Sequence, residues 1–465
     1  MTTLVWFRDD LRLADNPALS AGREDADGMV CLYVYDDESP GIRPPGEAAQ
    51  WWLHYSLRSL ATSLAEWGVP LVLRRGAART VVREVVSEVG VDAVVWNRRY
   101  GGAERELDAG LKRVLRDDGI DAQSFPGNML HEPWTIQTSG GTPFQVYSAF
   151  WRACLRMPEP RHPLSTPETL AAATKQPRSD DLDSWGLLPR DPNWASEFAQ
   201  RWTPGEKSAI ETLKSFLAER VEGYADDRDM LALPATSGLS PHLRWGEISP
   251  HTIWHRARAT KGDVEGFLGE LGWREFAWYT LFHRPGVAEE NIDRRFDGFE
   301  WAKPEQELLD AWRRGRTGFP VVDAGMRELW RTGTMHNRAR MITASFLTKN
   351  LLLDWRIGER WFWNTLVDAD AANNSFNWQW VAGCGTDAAP YFRVFNPLLQ
   401  QKKFDPRGTY VQYWAPDSEK LEPIVDLKET RRRALAAFDA IKNDRPETKK
   451  LTTPAETDRQ VAPGT

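Results

Sequence analysis

Thirteen residues from Asp368 to Trp380, DADAANNSFNWQW, hold two aspartates, three asparagines and two tryptophans. Asp and Asn are weak formers of helix interiors and strands. Paired indoles, in turn, do not suit a solvated loop. The mixture suits a pocket wall, where a few polar groups orient a flat ligand between aromatic faces. A second stretch, MHNRARM (335–341), predicts the start of a helix running to about Leu353. On it Asn337 and Met341 share a face at i, i+4, Arg340 lies three residues after Asn337, and Arg338 points elsewhere, available to a phosphate. Arginines flanked by TMHN and ITASFL are not on a fully exposed face and need acidic partners or ligand phosphates. Thr236-Ser237-Gly238-Leu239-Ser240-Pro241 sets hydroxyls and backbone N–H groups before a helix, a natural diphosphate site, although such segments more often are plain caps. His131-Glu132-Pro133-Trp134 lacks the second histidine of a zinc helix.

The elements that must carry these residues change along the chain. LVWF (4–7), MVCLYVY (29–35), PLVLRR (70–75) and DAVVWN (92–97) predict strands buried on both faces, with helices over 47–67 and 77–89 between them. This alternation predicts an α/β domain over 1–130 with a doubly wound parallel sheet. No G-x-G-x-x-G follows the first strand and no P-loop occurs. From about 155 to 203 the sequence turns rich in proline, serine and acid without periodicity, and 131–203 is expected to be a long interdomain linker. At Thr203-Pro204-Gly205-Glu206 a capping box predicts a helix start, with Ile210, Leu213, Leu217 and Val221 on one face. From 204 to about 440 only helical patterns and loops follow, and the polar tail 441–465 is expected to be disordered.

Composition narrows the class. The 465 residues imply more than one domain, and no apolar run approaches a membrane span, so no membrane partner is expected. Cys31, Cys154 and Cys384 are scattered and form no CxxC pair. Neither a disulfide framework nor a metal site is indicated, and a reducing, cytoplasmic setting fits. Net charge is −7, against nonspecific nucleic-acid binding over the whole surface, yet residues 311–410 carry 14 Lys+Arg against 8 Asp+Glu. Such a locally basic face permits focused phosphate contact. The 23 tryptophans are mostly core, with some available to line a ligand pocket or stack on bases.

Five blocks carry a resemblance over nearly the whole length: WFRDDLRLADNPAL (6–19), TSGLSPHLRWGEISP (236–250), ELGWREF (270–276), TGFPVVDAGMRELWRTGTMHNRARMITASFL (317–347) and DADAANNSFNWQWVAGCGTDAAPYFRVFNP (368–397). The sequence resembles the photolyase/cryptochrome family. That resemblance implies an α/β antenna domain, a linker and an all-helical domain holding FAD. Asp368 would pair with Arg340 beside the flavin, Asp370 and Ala369 would lie along it, and the Asn374 amide would face flavin N5. Thr236, Ser237, Gly238, Leu239 and Ser240 resemble the family's diphosphate loop, with Tyr224 and Phe267 as neighbouring FAD-site residues. Trp378, Trp355 and Trp301 match its electron-relay tryptophans.

Within the family the chain is most similar to class I cyclobutane pyrimidine dimer photolyases. Six-four photolyases place histidines where this chain has Asn337 and Met341, and plant-type cryptochromes usually carry Asp at the Asn374 position. Glu270 resembles the acid that bonds the dimer, Trp273 and Trp380 the apolar cleft, and Asn337 and Met341 the rest of its wall. Arg228, Arg338, Arg393 and Gln400 resemble contacts to the DNA backbone. The implied activity is deoxyribodipyrimidine photo-lyase, a light-dependent repair enzyme acting as a monomer on UV-damaged DNA. In the family, reduced FADH⁻ donates an electron to a dimer flipped out of the duplex. The alternative is a cryptochrome-like blue-light receptor acting through a partner protein. For a second chromophore, Arg98 stands where folate-binding members carry an acid, which favours 8-hydroxy-5-deazaflavin over folate. Asp9 replaces the common Arg of the first block.

Overall fold

Continuous β-branched and aromatic runs make the first four strands, because a strand covered on both faces needs no polar alternation. In the computed structural model, which describes residues 1–24, 27–387 and 392–444, these are β1 (Thr2–Phe7), β2 (Gly28–Tyr35), β3 (Leu71–Arg75) and β4 (Ala93–Asn97). A fifth, β5 (Asp121–Phe125), completes a parallel sheet of order β3-β2-β1-β4-β5. β5 went unforeseen because an edge strand reading DAQSF is half polar and short. The helices Glu47–Ala65 and Ala78–Val89 fall where periodicity puts them.

Strand order reverses between β1 and β4, where an open α/β sheet presents its ligand crevice. Here the crevice is filled by side chains. Arg8 donates to Asp108 at 2.6 Å and to the Asn97 carbonyl, and Asn97 donates to Asp10 at 2.6 Å and to Asn16 at 2.8 Å. The helical half docks there: Leu11 N–H reaches Trp245 O at 3.0 Å and Arg12 reaches Gly246 O at 2.9 Å.

From 204 to 444 the described residues are helices and loops, without a named strand. The capping box at Thr203 does not form. The helix is Glu206–Glu219, preceded by Gly205 at φ +123° without a side-chain cap. Glu206 accepts instead from Leu13 and Ala14 N–H, both at 2.8 Å, so it fastens the α/β half to the helical half. The connecting stretch also packs: Leu182, Trp185 and Phe198 are buried in one cluster with Trp52. All three cysteines are free and buried. Among the described residues no helix is long and apolar enough to cross a membrane. The tail from 445 onward and residues 388–391 of the last motif block lie outside the described residues.

Candidate flavin and substrate site

One cavity of about 450 Å³ gathers most of the residues singled out by type and spacing. Its wall includes Tyr224, Ser237, Leu239, Ser240 and Phe267 from one side, and Arg340, Asp368, Ala369, Asp370 and Asn374 from the other. Arg228, Glu270, Trp273, Asn337, Arg338, Met341 and Trp380 line the same space. Thr236 and Gly238 sit behind the wall: the Thr236 carbonyl accepts from Arg220 at 3.1 Å, and Gly238 makes the turn at φ +72°. Arg393 is exposed and Gln400 half-buried on the Pro397–Phe404 helix, both outside the cavity wall.

Asn337 opens its helix, Asn337–Ser345, which passes into a π-helical turn over Phe346–Asn350, so the regular helix stops short of Leu353. That helix presents Arg340, whose Nη2 donates to Asp368 at 2.8 Å. The Ser240 hydroxyl donates to the same carboxylate oxygen at 2.6 Å. The other oxygen of Asp368 is buried without a donor, an unsatisfied acceptor on the cavity wall that a cofactor N–H would satisfy. The residues present therefore fit a flavin. Asp370 is turned inward: its carboxylate accepts from Ala372 N–H at 2.8 Å and Asn373 N–H at 2.6 Å, and burial raises its pKa. Its first task is to start the Asn373–Ala382 helix, which carries Asn374, Trp378 and Trp380.

Asn374 shows what spacing cannot. Its amide nitrogen donates to the Glu359 carbonyl at 3.0 Å and to the Glu359 carboxylate at 2.8 Å. With both N–H groups committed, the amide oxygen is left as the acceptor for the N–H of a reduced flavin. Glu359 in turn is held by Arg43 of the α/β half through two bonds, at 2.7 and 3.0 Å. Sequence reading missed Glu359. The available signal was its place in WRIGERWFW, an acid four residues after Trp355 and three before Phe362, on an apolar helix face.

Arg338 departs from expectation. It is paired with Asp229 and lies over the Phe404 ring at 4.4 Å, so its guanidinium already has partners. Arg228 likewise pairs with Glu270, at side-chain exposures of 25% and 33%. Trp273 stacks on Tyr147 at 3.7 Å, another residue that sequence reading missed. Of the three relay candidates, Trp378 lines the cavity, Trp355 is buried and donates to Asn291 at 2.9 Å, and Trp301 is half-buried in the same apolar cluster. At Gly358 a Cβ would stand 2.0 Å from the Trp378 ring, so only glycine lets the Trp355–Thr365 helix lie against that indole.

Comparison with known proteins agrees with this arrangement. The family described as DNA photolyase matches residues 3–168, and that described as the FAD binding domain of DNA photolyase matches 267–423. A deoxyribodipyrimidine photo-lyase of Agrobacterium fabrum is 48% identical over 94% of this chain and 98% of its own length. Cryptochrome-1 of Arabidopsis thaliana is 36% identical over 90% of this chain but only 63% of its own. A crystal structure of a class III photolyase from Agrobacterium tumefaciens superposes with a TM-score of 0.91 at 46% identity, covering 95% of this chain and 98% of that one. The expectation of class I is therefore not carried by these relatives, whereas the family is. Both halves of the sequence, the α/β sheet and the helical FAD-binding domain, make this chain a member of the photolyase/cryptochrome family.

Proposed function

We propose that this chain is a light-driven DNA repair enzyme that splits cyclobutane pyrimidine dimers, a deoxyribodipyrimidine photo-lyase. One observation carries the reading: Glu270, Trp273, Asn337, Met341 and Trp380 share a single cavity with Ser240, Arg340, Asp368 and Asn374. A pyrimidine dimer flipped out of damaged DNA would thus meet the flavin without an intervening wall. The chemistry supplied by the bound cofactor is a photoexcited electron, given to the dimer and recovered once the ring has opened. The protein's share is placement. Trp273 and Trp380 offer flat apolar faces, and Glu270 a carboxylate acceptor for the polar edge of a pyrimidine. Arg340 balances the charge of Asp368, and the Asn374 oxygen awaits an N–H.

Arg228 and Arg338 reach DNA phosphates by exchanging Glu270 and Asp229 for them, with Arg393 and Gln400 outside the cavity as further contacts. Trp378, Trp355 and Trp301 form the relay that returns the flavin to its reduced state, a role supported by their course from the cavity to a half-buried position. The chain works as a monomer in the cytoplasm, a setting that suits its three buried free cysteines. Its domains divide near 130, 203 and 440, a division supported by the change from sheet to helices. The second chromophore is 8-hydroxy-5-deazaflavin rather than folate. Its support is Arg98, which pairs with Glu132 at 3.3 Å beyond the end of β4 where a folate site carries an acid. A pterin in an acid extract of the purified protein would overturn that choice.

The test of function is illumination of the reduced protein with a thymine-dimer oligonucleotide, reading the return of absorbance near ~260 nm from restored pyrimidine double bonds against a dark control. Light-dependent recovery is expected. No recovery from protein holding reduced FAD and binding the lesion would shift the reading to a blue-light receptor.

A further inference from the structure

Asp9 stands where the first motif block commonly has Arg, and its surroundings give it a task. It lies just past β1, at the point where strand order reverses. Its neighbours are fixed: Arg8 is buried against Asp108, and Asp10 accepts from the Arg8 N–H and the Asn97 amide, both at 2.6 Å. The helical half is docked tightly on this segment. Gly246, at φ +63°, comes so near that a Cβ would lie 2.0 Å from the Asp9 carbonyl oxygen. This docking brings Arg244, the last residue of the short helix Ser240–Arg244, within reach of Asp9.

Arg244 divides its guanidinium among three directions. Nη1 donates to Asp9 at 2.7 Å, and Nε donates to the Ala369 carbonyl at 2.9 Å. Nη2 has no acceptor among the described residues, yet Arg244 lines the flavin cavity beside Asp370 and one helical turn after Ser240. Its face also lies over Trp245 at 4.3 Å, which limits rotation. An arginine so constrained on two sides presents its remaining donor in a fixed direction, at little entropic cost to a ligand. Arg at position 9 would instead set two guanidinium groups together and repel Arg244 from this pose.

We propose that Asp9, carried by the α/β half, is a positioning residue for the cofactor: it holds Arg244 so that Nη2 meets an acceptor on the flavin dinucleotide while Nε braces the 368–370 loop. The α/β half thereby builds part of the flavin site in addition to any antenna role. The inference depends on FAD filling the cavity and is independent of dimer repair, since FAD affinity reads it directly.

The experiment measures FAD affinity of the full chain, stripped of flavin and titrated back by fluorescence quenching, alongside melting of the apo and FAD-loaded forms. Asp9→Ala and Asp9→Asn are expected to raise the FAD Kd about tenfold, the scale of one charge-assisted hydrogen bond behind a ligand-facing group. Asp9→Glu should restore most of it, and the flavin absorbance band of Asp9→Asn should shift. The Asp9→Ala/Arg244→Ala pair should be no weaker than Arg244→Ala alone, because Asp9 acts through Arg244. If Asp9→Ala does not fold, the isosteric Asp9→Asn carries the test. Unchanged FAD affinity in Asp9→Asn overturns the proposal, as do additive losses in the double variant. Equal falls in apo and loaded melting temperature overturn it too, because they would mark Asp9 as a docking residue only.

Discussion

Replacing Glu270 separates lesion recognition from cofactor binding. Glu270 lies three residues before Trp273 on the Glu265–His283 helix and lines the cavity, with its carboxylate held by Arg228. The Glu270 carboxylate is bonded by Arg228 and, among the described residues, makes no hydrogen bond to Arg340, Asp368, Asn374 or Ser240, so its loss leaves the groups around the flavin as they stand. A hydrogen bond to a charged group contributes about 1.5–3 kcal/mol. The Glu270 side chain is 33% exposed, so solvent screening reduces that to roughly 1–2 kcal/mol, or about 5–30-fold in lesion affinity. Glu270→Ala should show this loss in dark binding of a dimer-bearing oligonucleotide, with Glu270→Gln intermediate because one acceptor oxygen remains. The bound FAD fraction should stay unchanged in both, and undamaged DNA should bind nearly as before. Two results would refute the reasoning. FAD content falling in step with repair would place Glu270 in the cofactor site. Equal weakening for damaged and undamaged DNA would mean that the residue acts only by steering Arg228 onto phosphates.

Trp378→Phe should slow light-driven reduction of oxidised protein by at least about tenfold while chemically reduced protein keeps its repair activity; loss of both would falsify the relay role. Burial pushes Glu275 up to about 7, although Arg274 and the N–H groups of Leu130 and His131 oppose the shift. Between pH 4.5 and 7 the folded chain therefore holds a proton that the unfolded chain has lost, and stability falls as pH rises through that window. The drop is on the order of 3 kcal/mol at ~1.4 per unit, and urea melts of Glu275→Gln at pH 5 and 8 should show it flattened. His336 behaves in the opposite sense. Burial lowers it to about 4, and its Nδ1 accepts from the Arg338 N–H at 3.2 Å, capping the helix that carries Asn337 and Met341. Its stabilisation is fully present above about 6.5 and disappears as pH falls toward 4, so the urea midpoint should drop in acid; His336→Asn, which keeps a cap acceptor without a titrating ring, should blunt that drop.

How much could be read in advance follows from the range of each interaction. Strands β1 to β4 were legible because burial on both faces leaves a local, continuous apolar signature, while β5 pairs with β4 through backbone alone and its side chains read as loop. The Thr203–Glu206 box failed for the opposite reason. Its residues suit a local cap, but Glu206 finds two N–H donors at Leu13 and Ala14, nearly two hundred positions away. Residue types at the site were equally legible, since amide, carboxylate and indole chemistry does not depend on context. Their orientations were not. The direction of the Asn374 oxygen is set by Glu359, which is set by Arg43 from the other domain. Asp370 turns its carboxylate into its own helix start, and Arg338 spends its charge on Asp229. Each of these outcomes is a choice between two partners of similar strength, and only the folded distances decide it. The α/β half is therefore a builder of the flavin site as well as a neighbour to it: Arg43 holds Glu359 behind Asn374 and Asp9 holds Arg244 on the cavity wall, and a substitution at either should be felt at the flavin before it is felt in the sheet.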